Sequence, residues 1–316
     1  MIEYTEKIRE TARKLLEERE IDVFIGYKKG TVPMINKPVL VSDPDEVDQL
    51  HWDSNCGLNL CNYLTKRTDK IGITANGCNS RNIVTHIVEN QIRRDQIYIV
   101  GIPCTGMIDH RAVQRAVKHR EIFDIQEDGD RFTVKGKNFE EAFDKEDFLQ
   151  TNCAVCTNRN PVEYDEMIAV PVKEREGVEA YRDVDEIEEM GPEERWEVFA
   201  QTVSRCIRCY ACRNACPLCY CPTCFVDESR PQWVGKSIDP IDTMTFHFLR
   251  AYHCAGRCTD CGACERACPL GIPVRQFTKK LNKDTLALFS WEAGLSLDQR
   301  PPLDVYRQDD YNDFIK

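Results

Sequence analysis

A chain of 316 residues with 42% hydrophobic and 30% charged residues can bury one or two self-supporting cores, and it is neither fibrous nor disordered in composition. Its net charge of -11, with Lys and Arg scattered among more numerous acids, excludes the basic footprint of a nucleic-acid binder. No stretch reaches the roughly 18 apolar residues of a membrane span, and Met1 to Lys7 lack the basic and apolar regions of a secretory signal, so a cytoplasmic location is expected.

Residues 1–20 predict a charged amphipathic helix, followed by a short apolar strand at Asp22-Val23-Phe24-Ile25-Gly26-Tyr27. Lys70 to Thr74 predicts a buried strand, Ser80 to Ile92 a helix with Ile83, Ile87 and Val88 on one face, and Gln96 to Val100 a second strand. This is a β-α-β unit, parallel and right-handed by default. Both strands lead into cysteine-bearing loops, Gly77-Cys78-Asn79 and Ile102-Pro103-Cys104-Thr105-Gly106, at the carboxyl edge where open α/β sheets bind ligands. Residues 121–150 are polar, with a hairpin signal at Asp128-Gly129.

Composition then shifts. Residues 173–191 are rich in Glu and Arg and read as a linker; Gly191-Pro192 opens a helix whose Trp196, Phe199 and Val203 share a face, and Asp242 to Tyr252 reads as another helix. Trp233 follows a cysteine-rich loop as a cover, a partner anchor or a core residue. Residues 291–316 form an acidic, Pro-containing tail, either a strap or a disordered end. The fold class expected is an α/β domain with a small mainly parallel sheet over 1–172, then a mainly α-helical domain over 192–290.

The chemistry lies in 18 cysteines, which in a reducing compartment are metal ligands more often than disulfides. Two runs repeat, Cys206-x2-Cys209-x2-Cys212-x3-Cys216-Pro217 and Cys258-x2-Cys261-x2-Cys264-x3-Cys268-Pro269. Three thiolates this close wrap one side of a [4Fe-4S] cubane, and the fourth, turned away at Cys-Pro, serves the other cluster. Cys206, Cys209, Cys212 and Cys268 are thus assigned to a first cluster, and Cys258, Cys261, Cys264 and Cys216 to a second. The alternative, structural zinc, favours two separated CxxC pairs. Cys219, Cys221 and Cys224 are not needed by these clusters; with Cys254 they form a candidate set for a further cluster, or shield the first one.

In the first half, Cys78, Cys104, Cys153 and Cys156 form a candidate third [4Fe-4S] set, against the alternative of buried free thiols; Cys56 or Cys61 would serve as replacement ligands. No i, i+4 histidine pair occurs, His253 reads as packing, and G-x-S-x-G, H-E-x-x-H and P-loop motifs are absent.

The 41 residues between Cys216 and Cys258 resemble the layout of the α-helical ferredoxin domains of succinate dehydrogenase iron-sulfur subunits and heterodisulfide reductase small subunits, over about 192–285. Lys70-Ile71-Gly72-Ile73, Gly77-Cys78-Asn79-Ser80-Arg81, Glu89-Asn90-Gln91-Ile92, Ile99-Val100-Gly101-Ile102-Pro103-Cys104 and Cys153-x2-Cys156 resemble the β subunits of deazaflavin-reducing hydrogenases and related formate dehydrogenases, over about 15–170. The resemblance implies FAD beside the clusters, with Asn76, Asn79, Ser80 and Arg81 as flavin candidates and Arg81 facing a phosphate or anionic flavin; the alternative for Arg81 is a surface ion pair. It also implies an electron-transfer subunit of an anaerobic complex, an oxidoreductase component without turnover alone. Its partners would be a flavoprotein, hydrogenase or formate dehydrogenase-type module and a heterodisulfide-reductase-like module, with or without electron bifurcation. Two rivals stand: a flavin-containing β subunit that itself acts on a deazaflavin or nicotinamide cofactor, and a redox-silent scaffold in which metal serves folding alone.

Overall fold

The computed structural model describes residues 2–302. The chain opens with helix α1 (Ile2–Glu17), strands β1 (Val23–Lys28), β2 (Lys37–Val41) and β3 (Ile71–Ala75), helix α2 (Gly77–Val88), strand β4 (Ile97–Gly101) and helix α3 (His110–Ala116). Strands β5 (Ile122–Asp128), β6 (Arg131–Gly136) and β7 (Phe139–Asp144), helix α4 (Thr151–Ala154) and the short strand β8 (Glu166–Met167) complete the first half. The second half holds α5 (Arg182–Glu188), α6 (Pro192–Ser204), α7 (Ala211–Asn214), α8 (Pro240–His253), α9 (Ala263–Ala267) and α10 (Arg275–Phe289). The chain is thus a sheet-containing α/β region followed by a helical region. Among the described residues, no helix is long and apolar enough to cross a membrane.

The main sheet has the order β2-β1-β3-β4-β8, with β1, β3, β4 and β8 parallel and β2 antiparallel at one edge. Its central strands are apolar without alternation because both faces are covered, as parallel sheets require; Ile71, Ile73, Ile99 and Val100 are all fully buried. Ile8, Ala12 and Leu15 of α1 close into this core, spaced for one helix face. The strand predictions at 22–27, 70–74 and 96–100 fall within a residue of β1, β3 and β4. Helix α2 begins three residues earlier than periodicity alone suggests, because Asn76 caps it by accepting from Asn79 N at 3.1 Å. Cys78 therefore sits in the first helical turn, not in a loop.

Helix α2 is buried on its polar side too, because the helical region lies against it. His86 Nε2 is 2.9 Å from Pro217 O, Asn82 donates to Thr259 Oγ1 at 2.7 Å, and Glu89 pairs with Arg257. The Asp128-Gly129 signal marks a real hairpin, in which Asp128 pairs with Arg131 across Gly129 at φ 59°. It belongs to a separate antiparallel sheet, β5-β6-β7, with a small core of Ile122, Phe132 and Val134 closed by Val113 of α3 and by Val117 just after it. The stretch 173–191, read as a linker, carries α5, which is clamped to α10 by Asp183 to Arg275 at 2.8 Å and to Lys279 at 2.9 Å.

Phe199 of α6 meets Phe277 of α10 edge-on at 5.1 Å, and Val203 is buried, while Trp196 is 59% exposed. Trp233 is exposed and so is not a core residue. The last described stretch straps α2: Trp291 Nε1 donates to Gly256 O, Arg81 holds Ala293 O, and Arg300 reaches Val88 O. Residues 303–316 of the expected tail lie outside the described residues.

Candidate metal centres

The two cysteine runs fold alike. In the first, Arg208 and Tyr210 take left-handed backbone at φ 51° and 58°; in the second, Asp260 and Gly262 do so at 57° and 70°. The amide two residues after the leading cysteine points at its sulfur in both, Arg208 N to Cys206 Sγ and Asp260 N to Cys258 Sγ, each at 3.4 Å. Short helices α7 and α9 follow and lead to Cys216-Pro217 and Cys268-Pro269. Loops of this kind aim amide N–H groups at sulfur, which favours the anionic thiolate.

The fourth cysteines cross over. Cys268 shares an apolar cluster with Cys212, Val226, Val234, Phe246 and Ile272, with Cys206 of the first run and Cys264 of its own at the edge. Cys216 lines a cavity together with Cys258, Cys261 and Cys264. Cys209 is exposed at the protein surface.

The set expected for a further cluster is not gathered. Cys221 is exposed, and Cys224 packs at the edge of the first run's apolar cluster. Cys219 and Cys254 instead join Cys216, the three sulfurs lying within 4.8 Å of one another. Hydrogen bonds from Cys219 and Cys254 hold the Cys216 thiol well below the usual thiol range. Burial pushes Cys264 the other way, up to about 12, so a metal must displace its proton.

In the α/β region the carboxyl ends of β3 and β4 bring Cys78 and Cys104 to one edge, and α4 with its following turn lays Cys153 and Cys156 over it. All four line one cavity. Gly106 N points at Cys104 Sγ and Met107 N at Cys153 Sγ, each at 3.4 Å. Close approach depends on Gly77, since a Cβ there would stand 2.1 Å from Asn158 O. Burial raises the Cys156 thiol to about 12. Cys258 and Cys261 line the same cavity, so the second run and this set share a wall. Cys56 lines the cavity as well and receives Asn36 Nδ2 at 3.2 Å, while the fully buried Cys61 is not part of its lining and donates to Asn79 O at 3.3 Å.

Of the flavin candidates, Asn76, Asn79 and Arg81 line the same cavity, and all four also make contacts within the fold. Asn76 caps α2, Asn79 is buried, and Ser80 Oγ donates to Gly77 O and accepts from Val162 N. Arg81, expected to face a phosphate, spends its guanidinium on Ala293 O and on Glu292 at 2.8 Å. A buried cation takes the nearest fixed anion, and the strap supplies it.

Two inward side chains of α8 escape a reading based on cysteine spacing. His247 Nε2 lies 3.2 Å from Cys206 Sγ. Burial, with the charges of Arg250 and Arg208, pulls its pKa down to about 4, so the ring is neutral. Arg250 is 5% exposed and lines the second run's cavity, with Nε unpartnered among the described residues. The signal was present: Thr243, His247, Arg250 and Cys254 recur at helical spacing as a polar stripe. His253 packs edge-on against Phe225 at 4.7 Å, as expected.

A cavity walled by thiols, amides aimed at sulfur and an orphaned buried guanidinium fit an anionic iron-sulfur group. Residues 202–272 match the model of a 4Fe-4S dicluster domain, so a domain of that class is present in the helical region. It is 22% identical to the F420-dependent formate dehydrogenase subunit beta of Methanocaldococcus jannaschii, over 86% of this chain and 88% of that protein. To the F420-dependent formate dehydrogenase 1 subunit beta of Methanococcus maripaludis it is also 22% identical, over 91% and 90%. The chain is homologous to these β subunits over most of its length. A chain of the xenon-derivatised F420-reducing [NiFe] hydrogenase complex from Methanosarcina barkeri aligns over 48% of this chain and 58% of its own length, with 18% identity and a TM-score of 0.38.

Proposed function

We propose that this chain is a cytoplasmic iron-sulfur electron-transfer subunit of an F420-linked, multi-subunit oxidoreductase. When bound, the clusters supply one-electron carriers. The chain's own residues fix where they sit: Cys206, Cys209, Cys212 and Cys268 for the first, Cys258, Cys261, Cys264 and Cys216 for the second, and Cys78, Cys104, Cys153 and Cys156 for a third. The observation that carries the reading is the order of the sites. The α/β set shares a cavity wall with Cys258 and Cys261, and the second run interlocks with the first through the crossed fourth cysteines, giving one continuous row. It ends beside the exposed Cys209. That end suits a heterodisulfide-reductase-like partner, and the α/β end a formate dehydrogenase or hydrogenase-type partner. Amides and His247 aimed at sulfur favour the reduced, more negative state.

The lining of that cavity by Asn76, Asn79 and Arg81 favours a second reading, in which it also receives a flavin and the chain itself oxidises a reduced deazaflavin. The test is anaerobic mixing of the cluster-loaded chain with reduced F420, together with a flavin assay. The relay reading predicts bleaching by dithionite, no bound flavin and no F420 oxidation by the chain alone. Flavin-dependent F420 oxidation would overturn it in favour of the second reading.

A further inference from the structure

Burying an unpaired cation costs several kcal/mol, and a guanidinium cannot escape by losing its proton. The chain meets this in different ways at different buried arginines. Arg275, 2% exposed, is surrounded by Asp183, Asp260 and Glu265. Arg208 donates to Gly235 O, Ser237 O and the Tyr210 hydroxyl. Arg250 has neither solution: among the described residues it makes no carboxylate ion pair, and its hydrogen bonding is Nη2 to Cys212 O at 3.2 Å. What surrounds it is sulfur. It lines the cavity of Cys216, Cys254, Cys258, Cys261 and Cys264, while its one acceptor belongs to the first run.

We propose that Arg250 is the shared internal counter-ion of the two dicluster sites, raising the reduction potential of both and acting more strongly on the second. This rests on the reading above that the two runs hold cubanes. An added electron makes a cluster more negative, and a fixed cation in a low-dielectric interior stabilises that state more than the oxidised one. The second site feels more because the guanidinium lines its cavity, whereas the first is reached through the Cys212 carbonyl. Because Arg250 keeps its charge at all accessible pH, its effect is pH-independent.

The test is an EPR-monitored redox titration of the anaerobically loaded full chain, comparing wild type with Arg250→Met, Arg250→Gln and Arg250→Lys. The Met variant should keep its iron while the second midpoint falls by at least tenfold in the reduction equilibrium, ~59 mV for a one-electron couple. The first midpoint should fall by less, and the Lys variant should lie between. The offset should be the same from about pH 6 to about pH 9, since the guanidinium stays charged throughout. Arg250→Gln, which keeps a donor toward Cys212 O without the charge, carries the test if the Met variant does not load. Full iron with wild-type midpoints in the neutral variants, or an offset that varies with pH, overturns the proposal. A wild-type chain lacking the irons of two cubanes removes the cluster reading beneath it instead.

Discussion

Cys268 belongs to the second run by sequence and to the first by packing, beside Cys212 and Cys206. Cys268→Ala should therefore abolish the EPR signal of the first cluster, with loss of about four irons, and leave the second. Loss of the second cluster instead would contradict the crossing. Gly77 is a sharper steric case, since its missing Cβ is where Asn158 O lies. Gly77→Ala should lower stability by ~2 kcal/mol in denaturant titration and selectively deplete the α/β cluster; an unchanged midpoint and iron content would contradict that account. At this scale the sequence was most legible where ligands lie within one short run. Joining Cys78, Cys104, Cys153 and Cys156 needed the topological rule about strand ends as well. His247 and Arg250 were missed because each is ordinary in a helix until its neighbours are known. Arg81 was misdirected because its partners, Glu292 and Ala293, are over 200 residues away in sequence.

Among the elements, α1, β1, β3, β4, α6 and α8 were readable because their apolar spacing reflects burial against a single neighbour or on both strand faces. Helix α5 was not, since it docks through charge: a Glu- and Arg-rich stretch looks like a linker until Arg275 and Lys279 are placed opposite Asp183. Burial alone would raise the Asp183 pKa, but the Lys279 hydrogen bond and the nearby Arg275 charge outweigh it and hold the carboxyl below its ordinary value. A depressed carboxylate pKa contributes stability above the unfolded value, lost as pH falls through the folded one. The α5 clamp should therefore hold at neutral pH and loosen below about pH 4. Asp183→Asn should cost ~2 kcal/mol at pH 7 and narrow the difference from wild type at acid pH. Equal midpoints at pH 7, or a gap that widens on acidification, would contradict the clamp. The three-stranded sheet β5-β6-β7 was seen only as one hairpin, because β7 alternates half-buried and exposed residues and carries little apolar signal.

At the scale of the whole molecule, the helical region is built onto α2, whose buried polar residues make sense only as contacts across that boundary. The α/β set thereby shares a cavity with Cys258 and Cys261 of the second run, an arrangement that sequence spacing never stated because it joins segments more than 100 residues apart. The central claim is that these thiols hold inorganic iron and sulfide. Iron and acid-labile sulfide per chain, measured on anaerobically isolated protein, test it most directly. About twelve of each are predicted, four per cubane, with visible absorption that bleaches on reduction. A colourless chain, or one holding zinc alone, would contradict the account.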